Sequence, residues 1–302
     1  MNKLLLFFSV GFVTLSMSSC KKDDGTGAIE KQDILNQSYG ASAQQNFDVY
    51  LPANRNSDTK VILFLHGGGF IAGDKNEFTT ICKELSKKGF AVVNANYRLV
   101  DTTGLLATPP LHRPSAITIN DQLADVKLLI DLIQTKATDW KVSSDKIATA
   151  GHSAGATLAL LAAYNNKEKV KATANWAGVT DFSFEDESYF NTIPPVLKEA
   201  YYRIIGHETK NQNKLAFMSV SPIWVVISGK FTATINIRPE FNLVLGLPDA
   251  SKIQYQDFTN SLNSKGAPNK LVEIKGADHG FGQPGNWEQV VNLTADFFNT
   301  QM

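Results

Sequence analysis

The sequence predicts an α/β protein with a mostly parallel central sheet and helices on both faces. Short apolar runs such as VILFL (61–65) and AVVNANY (91–97) have the length and composition of strands that are buried on both faces. Segments with apolar residues at helical spacing separate these runs along the chain. The 302 residues are enough for one large domain of this class or for two small ones.

The predicted elements alternate from residue 46 onward. Strands are expected at 46–52, 61–65, 91–97, 146–150, 171–178, 241–246 and 270–276, and helices at 76–88, 119–137, 156–166, 251–265 and 286–300. Residues 182–222 interrupt the alternation, so we expect them to form a cap over one end of the sheet within a domain of residues 38–302. After the cap, ISGKFTATINIR (227–238) alternates like an added strand.

The first twenty residues differ in character from the rest. Lys3 precedes an apolar stretch that, at about a dozen residues, is shorter than the roughly 20 needed to span a bilayer. This pattern is typical of a secretory signal peptide. The small residues before Cys20 resemble a bacterial lipoprotein signal, in which the cysteine is acylated and becomes the mature N-terminus. A plain exported protein cut near Ser19 and an N-terminal core helix are the alternatives.

We therefore expect residues 1–19 to be a lipoprotein signal peptide and residues 20–37 to be a flexible tether. A lipid on Cys20 would anchor the protein to a membrane. The acidic residues that follow Cys20 resemble the signal that sends some bacterial lipoproteins to the outer membrane or cell surface. With Cys20 lipidated, the other cysteine, Cys82, has no disulfide partner and is expected in the core.

Charge and composition argue against several classes of function. Lys and Arg together number 29, as do Asp and Glu, so the net charge is zero. Since there is also no basic run, the sequence offers no electrostatic basis for binding nucleic acid. The sequence contains no Cys/His cluster at metal-ligand spacing, so we expect neither a metal nor an organic cofactor.

The segment GHSAG, residues 151–155, is the strongest signal for chemistry. It lies between a predicted strand, KIATA, and a predicted helix. A nucleophilic serine on a sharp strand-to-helix turn requires that context. Gly151 and Gly155 flank Ser153 because the turn brings neighbouring backbone close, and the N-terminus of the following helix favours negative charge. Ser153 is therefore the candidate nucleophile.

Among the five histidines, His279 is the candidate base. It follows the strand-like segment KLVEIK, at the carboxyl end of a strand, where ligands meet open α/β sheets. His207 lies in the predicted cap and His112 in a loop, and neither is held at a strand end. His152 adjoins Ser153, but adjacent side chains on a tight turn point apart.

Asp249 is the candidate acid that would fix the tautomer of His279 and stabilise its imidazolium. It ends the segment FNLVLGLPD, thirty residues before the histidine. Asp181, Asp257 and Asp278 are the alternatives. Asp181 also suits a loop cap, Asp257 falls within a predicted helix, and Asp278 is too close in sequence to fold back onto the ring.

The same chemistry explains why three glycines, Gly67 to Gly69, follow the strand VILFL. In acyl transfer a carbonyl oxygen becomes an oxyanion, which preorganised N–H groups stabilise. Ala154, the residue after the nucleophile, supplies one such group, and a bare glycine loop of HGGG type supplies the others. We expect Gly68, Gly69 and Ala154 to donate to the oxyanion.

Together these segments resemble the α/β-hydrolases, in particular esterases of the hormone-sensitive-lipase group and related bacterial carboxylesterases and formamidases. The segments that carry the resemblance appear in that family's order: HGGGF (66–70), NYRL (96–99), GHSAG (151–155), GLPD (246–249) and DHGF (278–281). They extend the resemblance over residues 38–302. It implies an α/β-hydrolase fold and a triad of Ser153, His279 and Asp249.

The resemblance also implies supporting roles. His66 would orient the glycine loop, and Arg98 and Asp125 are expected to form a structural pair. Residues 221–241 depart from the family's pattern, because they are longer than the usual link between the cap and the strand that bears the acid, and we expect the segment 227–238 within them to cover an acyl pocket. Aromatic residues that flank the catalytic segments are candidates for substrate binding, with core packing as the alternative: Phe70, Trp176, Phe182 and Phe281.

The sequence therefore predicts a serine hydrolase that cleaves small-molecule carboxylic esters with short acyl chains. A carbohydrate esterase acting on acetyl or feruloyl groups and an arylformamidase-like amidase are alternatives that use the same residues. A peptidase is disfavoured, because oligopeptidases of this fold usually carry a propeller domain for which the chain has no room. A surface binding protein without turnover is disfavoured because the triad and the glycine run are intact.

Overall fold

The structure, a computed structural model, describes residues 28–241 and 251–302. Its strands are β1 Gln32–Ser38, β2 Asn46–Leu51, β3 Val61–Leu65, β4 Ala91–Ala95, β5 Ile147–His152, β6 Val170–Trp176, β7 Ala233–Pro239 and β8 Asn269–Ile274. They form one sheet in the order β1-β2-β4-β3-β5-β6-β7-β8. The β1–β2 and β2–β4 pairs are antiparallel and all other pairs are parallel. The predicted mostly parallel sheet is confirmed.

Helices pack on both faces of this sheet. They are α1 Thr79–Lys87, α2 Ile119–Trp140, α3 Ala154–Asn165, α4 Pro195–Ile205, α5 Lys214–Ser219, α6 Pro222–Ile227, α7 Ser251–Ser264 and α8 Asn286–Gln301. In β3, Val61, Leu63 and Leu65 face the core that α2 and α3 cover. Ile62 and Phe64 face the core that α1 and α8 cover. Burial of both faces explains the unbroken apolar run of this strand.

Strand β1 occupies part of the segment that was predicted to be a flexible tether. It pairs antiparallel with β2, placing Gln32 opposite Leu51 and Ser38 opposite Asn46. Its side chains are mostly polar and exposed, so this edge strand carries little apolar pattern. The prediction of a tether over 20–37 is wrong from residue 32 onward. Backbone hydrogen bonds to β2 make this segment a strand, and a pattern of side chains does not reveal such bonds.

The strand between β6 and β8 also differs from the prediction. β7 pairs in parallel with both neighbours and so fills the place assigned to residues 241–246. The segment 227–238, predicted to be an added strand over an acyl pocket, thus supplies a strand of the central sheet. Residues 242–246 lie outside the described residues.

Polar side chains of β7 find partners inside the sheet layer. Thr234 shares a hydrogen bond of 2.9 Å with the hydroxyl of Tyr164, and Asn236 accepts one of 2.9 Å from Asn175. Every residue of the strand is buried. Polar residues that alternate along a strand are typical of a strand with one exposed face. The sequence pattern therefore favoured the more apolar FNLVLG (241–246) as the strand between β6 and β8.

Helices α4 and α5 fall in the segment 182–222 that was predicted to form a cap, and α6 begins at its last residue. Phe184, Phe190 and Phe217 pack against one another there, with ring centroids 4.8 to 5.8 Å apart. Buried Arg203 of α4 donates to the carbonyl oxygens of Asp101, Thr103 and Leu111. These bonds tie the segment to the loop that precedes α2.

Within the two described ranges, no helix combines the length and the apolar character needed to cross a bilayer. The predicted signal peptide and Cys20 precede residue 28 and lie outside the described residues. Cys82 is a fully buried thiol in α1, as expected.

Candidate active site

Ser153 occupies a strained turn between β5 and α3. Its backbone has φ 53° and ψ −122°, a conformation that a non-glycine residue adopts only when its surroundings enforce it. A Cβ on Gly155 would lie 2.2 Å from the carbonyl oxygen of Leu65, and one on Gly151 would lie 2.5 Å from the backbone of Gly155. The two flanking glycines therefore let β3, β5 and α3 meet closely enough to hold the turn.

His279 lies within hydrogen-bond distance of this serine. Its Nε2 is 3.0 Å from Ser153 Oγ. The loop that carries it follows β8 and is held by Asp278, whose Oδ1 accepts the N–H groups of Gly280 and Gly282 at 3.1 and 3.3 Å. The structure thus brings together the nucleophile and base that the sequence predicted.

The surroundings of His279 favour its neutral form. Burial and, to a smaller extent, the nearby His152 together lower its pKa to about 4, while Asp278 opposes the shift. A neutral imidazole at pH 7 is the form that accepts a proton from the serine.

His152 holds the loop of the base rather than acting as a base. Its Nε2 donates to the carbonyl oxygen of His279 over 2.7 Å, since a carbonyl can only accept. The rings of Phe78, Phe281 and Trp287 surround it with centroids 5.5 to 6.2 Å away. The sequence set His152 aside as base, but it gave no signal for this backbone contact across 127 residues of chain.

The glycine loop lies directly over the serine. A Cβ on Gly67 would be 3.3 Å from Ser153 Cβ, and one on Gly68 would be 2.0 Å from the carbonyl oxygen of Ala72. Gly68 and Gly69 have φ of 117° and 62°, values that favour glycine. Side chains are therefore excluded from this loop by both contact and backbone conformation.

Three backbone donors beside the serine are unused. In the described part of the chain, the N–H groups of Gly68, Gly69 and Ala154 make no hydrogen bond. Unpaired backbone donors are costly when no ligand or water meets them. Ala154 follows Ser153 directly, and Gly67, which precedes Gly68, contacts Ser153. These donors are therefore candidates for an oxyanion-binding site.

His66 supports the glycine loop, as the resemblance implied. Its Nδ1 donates to the carbonyl oxygen of Gly67 over 2.7 Å, and its own carbonyl accepts from the hydroxyl of Tyr97 over 2.8 Å. The His66 and Tyr97 rings stack with centroids 4.4 Å apart. Burial lowers the pKa of His66, so it orients the loop as a neutral ring.

Arg98 and Asp125 form the expected structural pair. The guanidinium meets both carboxylate oxygens, with Arg98 Nη2 to Asp125 Oδ1 at 2.7 Å. Asp125 is fully buried and also accepts from Gln45 over 2.8 Å. The pair fastens α2 to the chain that leaves β4.

The candidate acid Asp249 lies outside the described residues. Its rivals are engaged elsewhere: Asp181 accepts the N–H of Ser183 over 2.8 Å, Asp278 holds its own loop, and Asp257 is exposed on α7. In the described ranges, none of these three carboxylates forms a hydrogen bond to the ring of His279.

The structure buries the aromatic candidates for substrate binding. Trp176 and Phe281 are 0% exposed, and Phe70 is 4% exposed. The indole N–H of Trp176 donates to Thr294 over 3.0 Å inside the core. Core packing, the alternative for Trp176 and Phe281, is thus the role that the geometry supports. Phe70 follows the glycine loop and packs edge to face on Phe182 at 6.0 Å.

The remaining histidines lie apart from this site. His112 contacts Glu199 and Glu208 at 2.8 and 3.0 Å, and His207 is exposed after α4. Across residues 28–241 and 251–302, no group of three or more His, Cys, Asp or Glu side chains could hold a metal ion.

The doubly covered parallel sheet, the serine on its strained turn and the base after β8 define an α/β-hydrolase. Residues 47–235 match the family model described as BD-FAE, and the chain belongs to that family. The prediction of a carboxylic ester hydrolase is confirmed at the level of enzyme class.

Relatives in sequence are distant. A kynurenine formamidase of Danio rerio is 22% identical over 254 residues, which cover 82% of this chain and 75% of the relative. A probable isoprenylcysteine alpha-carbonyl methylesterase of Arabidopsis thaliana is 24% identical over 258 residues, 80% of this chain and 49% of the relative.

Solved structures share the fold. A truncated carbohydrate esterase from gut microbiota has a TM-score of 0.68 at 21% identity, covering 89% of this chain and 96% of the other. A hyperthermophilic esterase from Pyrobaculum calidifontis has a TM-score of 0.66 at 18% identity, covering 89% and 83%.

Proposed function

We propose that this protein is a serine esterase that cleaves carboxylic esters with short acyl chains through an acyl-enzyme. The observation that carries the proposal is the 3.0 Å contact between Ser153 Oγ and His279 Nε2 beside three unused amides. A nucleophile, a base and oxyanion donors in one place are what acyl transfer requires. The Phe70–Phe182 pair supports short acyl chains because it adds bulk next to the glycine loop.

In the first step Ser153 Oγ attacks the ester carbonyl carbon while neutral His279 takes the hydroxyl proton. The carbonyl oxygen becomes an oxyanion, which accepts from Gly68, Gly69 and Ala154. Each such donor is worth roughly 10²- to 10³-fold in rate. When the tetrahedral intermediate collapses, His279 returns the proton to the leaving alcohol oxygen.

In the second step water replaces the alcohol. His279 takes a proton from the water as its oxygen attacks the acyl carbon, and the same amides stabilise the second oxyanion. The acid leaves and Ser153 regains its proton. Through both steps His152 keeps His279 in place by holding its carbonyl oxygen.

We also propose Asp249 as the acid of the triad, as the resemblance implies. It would accept the Nδ1 proton of His279. Asp249→Asn would then lower kcat by about 10³- to 10⁴-fold, since the amide favours the wrong tautomer. Asp181→Asn is the matched control, and a larger loss in that control would transfer the role to Asp181.

The test of the esterase proposal is hydrolysis of a p-nitrophenyl ester series, acetate to decanoate, by purified full-length protein and by Ser153→Ala. We expect activity that is highest for short chains and falls at least about 10³-fold in the variant. A fluorophosphonate should label the wild type alone. Equal activity in both proteins, or a wild type that is neither active nor labelled, would overturn the proposal.

Formamide hydrolysis is a second candidate. The match to kynurenine formamidases, which spans three quarters of the Danio rerio relative, favours it. The same nucleophile and donors serve an amide when His279 protonates the leaving amine. Comparing kcat/KM for phenyl formate and N-formylaniline decides between ester and formamide.

We further propose that the protein is a membrane-anchored lipoprotein at the outer membrane or cell surface. The support is the sequence pattern around Cys20. Growth of an expressing bacterium with a radioactive fatty acid should label the wild type and not Cys20→Ser. Label in both proteins, or in neither, would contradict the anchor.

A further inference from the structure

In the described part of the chain, five connections lead from a helix into the next strand, and each carries an exposed lysine without an acidic partner. They run from α1 to β4, α2 to β5, α3 to β6, α6 to β7 and α7 to β8. The exposed lysines are, in that order, Lys88, Lys141, Lys167, Lys230 and Lys265. None of the five forms an ion pair within the described ranges. By contrast, Lys146 and Lys169 of the same connections pair with Asp58 and Asp131 at 2.9 and 2.6 Å.

These lysines gather along one edge of the sheet. Strands β3 to β8 run in parallel, so the residues that precede them meet at the edge opposite the one where Ser153 and His279 follow β5 and β8. We call the first edge the basic edge and the second the catalytic edge. Lys60, which precedes β3, also lies at the basic edge, where burial and the nearby Lys146 lower its pKa.

Helix ends alone do not account for this charge. Lysines that follow helices offset the negative end of the helix dipole. Lys60 follows no helix and still lies close to the charge of Lys146. Like charges are therefore collected at this edge, although they come from separate parts of the chain and form no basic run in the sequence.

The catalytic edge carries the opposite charge. The loop after β6 contains four acidic residues and neither Lys nor Arg before α4 begins: Asp181, Glu185, Asp186 and Glu187. In the loop after β3, Asp74 and Glu77 accompany one lysine, Lys75, whose charge Asp48 neutralises over 2.8 Å. The net charge of zero thus conceals two oppositely charged edges. An anionic surface would attract the basic edge and repel the catalytic one.

The chain enters the folded domain at the basic edge. Arg55 donates from Nη1 to the carbonyl oxygen of Glu30 over 2.7 Å and from Nε to that of Trp140 over 2.9 Å. Trp140 directly precedes Lys141, so Glu30 lies beside this edge. From Cys20 to Glu30 the chain can span at most about 36 Å. A lipid on Cys20 would therefore keep the basic edge close to a bilayer.

Two apolar side chains are exposed beside the same edge. Leu215 is 76% exposed and Ile227 is 42% exposed. They line a groove whose other lining residues include Asn165, at the end of α3, and Lys230 of the basic edge. Apolar side chains next to lysines suit the interface of a bilayer, where acyl chains meet the first and headgroups the second. A dissolved polyanion would match the lysines alone.

We propose that the basic edge docks on a lipid surface with anionic headgroups, that Leu215 and Ile227 enter its interfacial region, and that the catalytic edge faces away from the bilayer. The docking adds an orientation to the proposed anchor on Cys20 and does not depend on the ester chemistry. Each lysine close to such a surface strengthens binding about fivefold. Substrates then reach Ser153 from the aqueous side.

The test measures which edge of the purified full-length protein contacts a vesicle. A dye on Glu168→Cys reports the basic edge, and a dye on Glu288→Cys reports the catalytic edge; each substitution removes one exposed acidic residue. The vesicles contain phosphatidylcholine, about 30% phosphatidylglycerol and a spin-labelled lipid that quenches the dye. Matching vesicles omit the phosphatidylglycerol. Cys82 is buried and does not react, and protein without an added cysteine gives the background from Cys20.

On the anionic vesicles we expect quenching of the dye at position 168 and not of the dye at position 288. About 1 M sodium chloride should abolish it, since the attraction then extends only about 3 Å. Combining Lys167→Gln, Lys230→Gln and Lys265→Gln should raise the lipid concentration for half-maximal quenching about 10²-fold.

A second triple variant is the matched control. Lys198→Gln, Lys210→Gln and Lys252→Gln remove the same charge from positions outside the basic edge and should leave the half-maximal concentration nearly unchanged. Leu215→Ser should raise that concentration severalfold, because it removes an apolar side chain from the interface.

Several results would overturn the docking. Quenching at both positions, or at neither, would mean that no single edge faces the bilayer. Equal quenching at position 168 on both kinds of vesicle, unchanged by the first triple variant, would mean that the covalent anchor alone holds the edge there. Loss of quenching in Cys20→Ser would have the same meaning. Relief by inorganic phosphate, but not by sodium chloride of equal ionic strength, would assign the lysines to free phosphate instead of a lipid surface.

Discussion

At the scale of single residues, the catalytic pair could be predicted because each member is tied to a strand end. Ser153 sits between two glycines whose absent side chains the packing requires, and His279 follows β8. The aromatic residues could not be assigned in the same way. Trp176 and Phe281 are close to the catalytic segments in sequence, but both side chains are buried in the core. Trp176 is directed there by the alternation of side chains along β6, and Phe281 by the loop after β8.

The role of His152 leads to a prediction on positioning. Removing its ring in His152→Ala frees the carbonyl of His279, and displacement of a base by about 1 Å can cost about 10²-fold. We expect kcat to fall by roughly ten- to a hundredfold with KM little changed. His152→Gln, which can donate to the same carbonyl, should recover part of the loss. Equal loss in both variants would indicate a packing defect instead, and urea denaturation would measure that defect.

The lowered pKa of His279 leads to a prediction on pH. The neutral base is present above its pKa and is lost as the pH falls through that pKa. We therefore expect kcat/KM to stay near its maximum when the pH drops below 6.5 and to decline only as the pH approaches 4. Burial also lowers the pKa of His152, so the unfolded chain binds more protons and the free energy of unfolding falls below about pH 6.5.

A pH profile of kcat/KM, with tryptophan fluorescence recorded at each pH, separates protonation of His279 from unfolding of the protein. His152→Gln should move the acid limb upward, because the neighbouring imidazole depresses the pKa of His279. An acid limb at or above pH 6.5 in the folded wild type would contradict the prediction and would point to a carboxylate that outweighs burial.

At the scale of elements, the sequence predicts best the strands that are apolar along their whole length. β3 and β4 are buried on both faces and were found from their apolar runs. β1 was missed because it is an exposed, polar edge. β7 was expected as an added strand outside the central sheet, because Thr234, Asn236 and Arg238 alternate with its apolar residues although the sheet buries them. Hydrogen bonds across the sheet make such a strand stable, and a single sequence does not reveal partners on other strands.

The close approach of α3 to the end of β3 at Gly155 leads to a prediction on stability. A Cβ at position 155 would lie 2.2 and 2.3 Å from the carbonyl oxygens of Leu65 and His66, which are backbone atoms that cannot rotate away. Gly155→Ala should therefore reduce the free energy of unfolding by about 3 kcal/mol and displace Ser153. Gly282→Ala is the control, since a Cβ there meets nothing within 4 Å. Urea denaturation of both variants would test this, and similar midpoints would contradict it.

At the scale of the whole molecule, the site depends on parts that are far apart in sequence. The glycine loop after β3, the turn after β5 and the loop after β8 meet because parallel strands end at the same edge of the sheet. The segment with α4 and α5 is attached separately, through Arg203. That side chain is fully buried, pairs with Glu199 over 2.7 Å, and reaches carbonyl oxygens of the loop before α2.

This attachment gives the last prediction. Arg203→Met leaves the buried Glu199 with the exposed His112 and the backbone N–H of Arg113 as its partners, so we expect a loss of about 3 kcal/mol, at the low end for a broken buried pair. Faster proteolytic cleavage in the loop 101–118 should accompany the loss. Arg113→Gln, which removes a half-exposed partner of Asp101 from the same loop, should cost less than about 1 kcal/mol.

Adding Glu199→Gln to Arg203→Met decides the cause of this loss. If the unpaired buried carboxylate destabilises the single variant, the double variant should recover part of the stability, because the remaining amide carries no charge to desolvate. If the loss comes from the missing bonds to the carbonyl oxygens of Asp101 and Thr103, the double variant should be no more stable than the single one. In that case Arg203 fastens the two segments mainly as a hydrogen-bond donor.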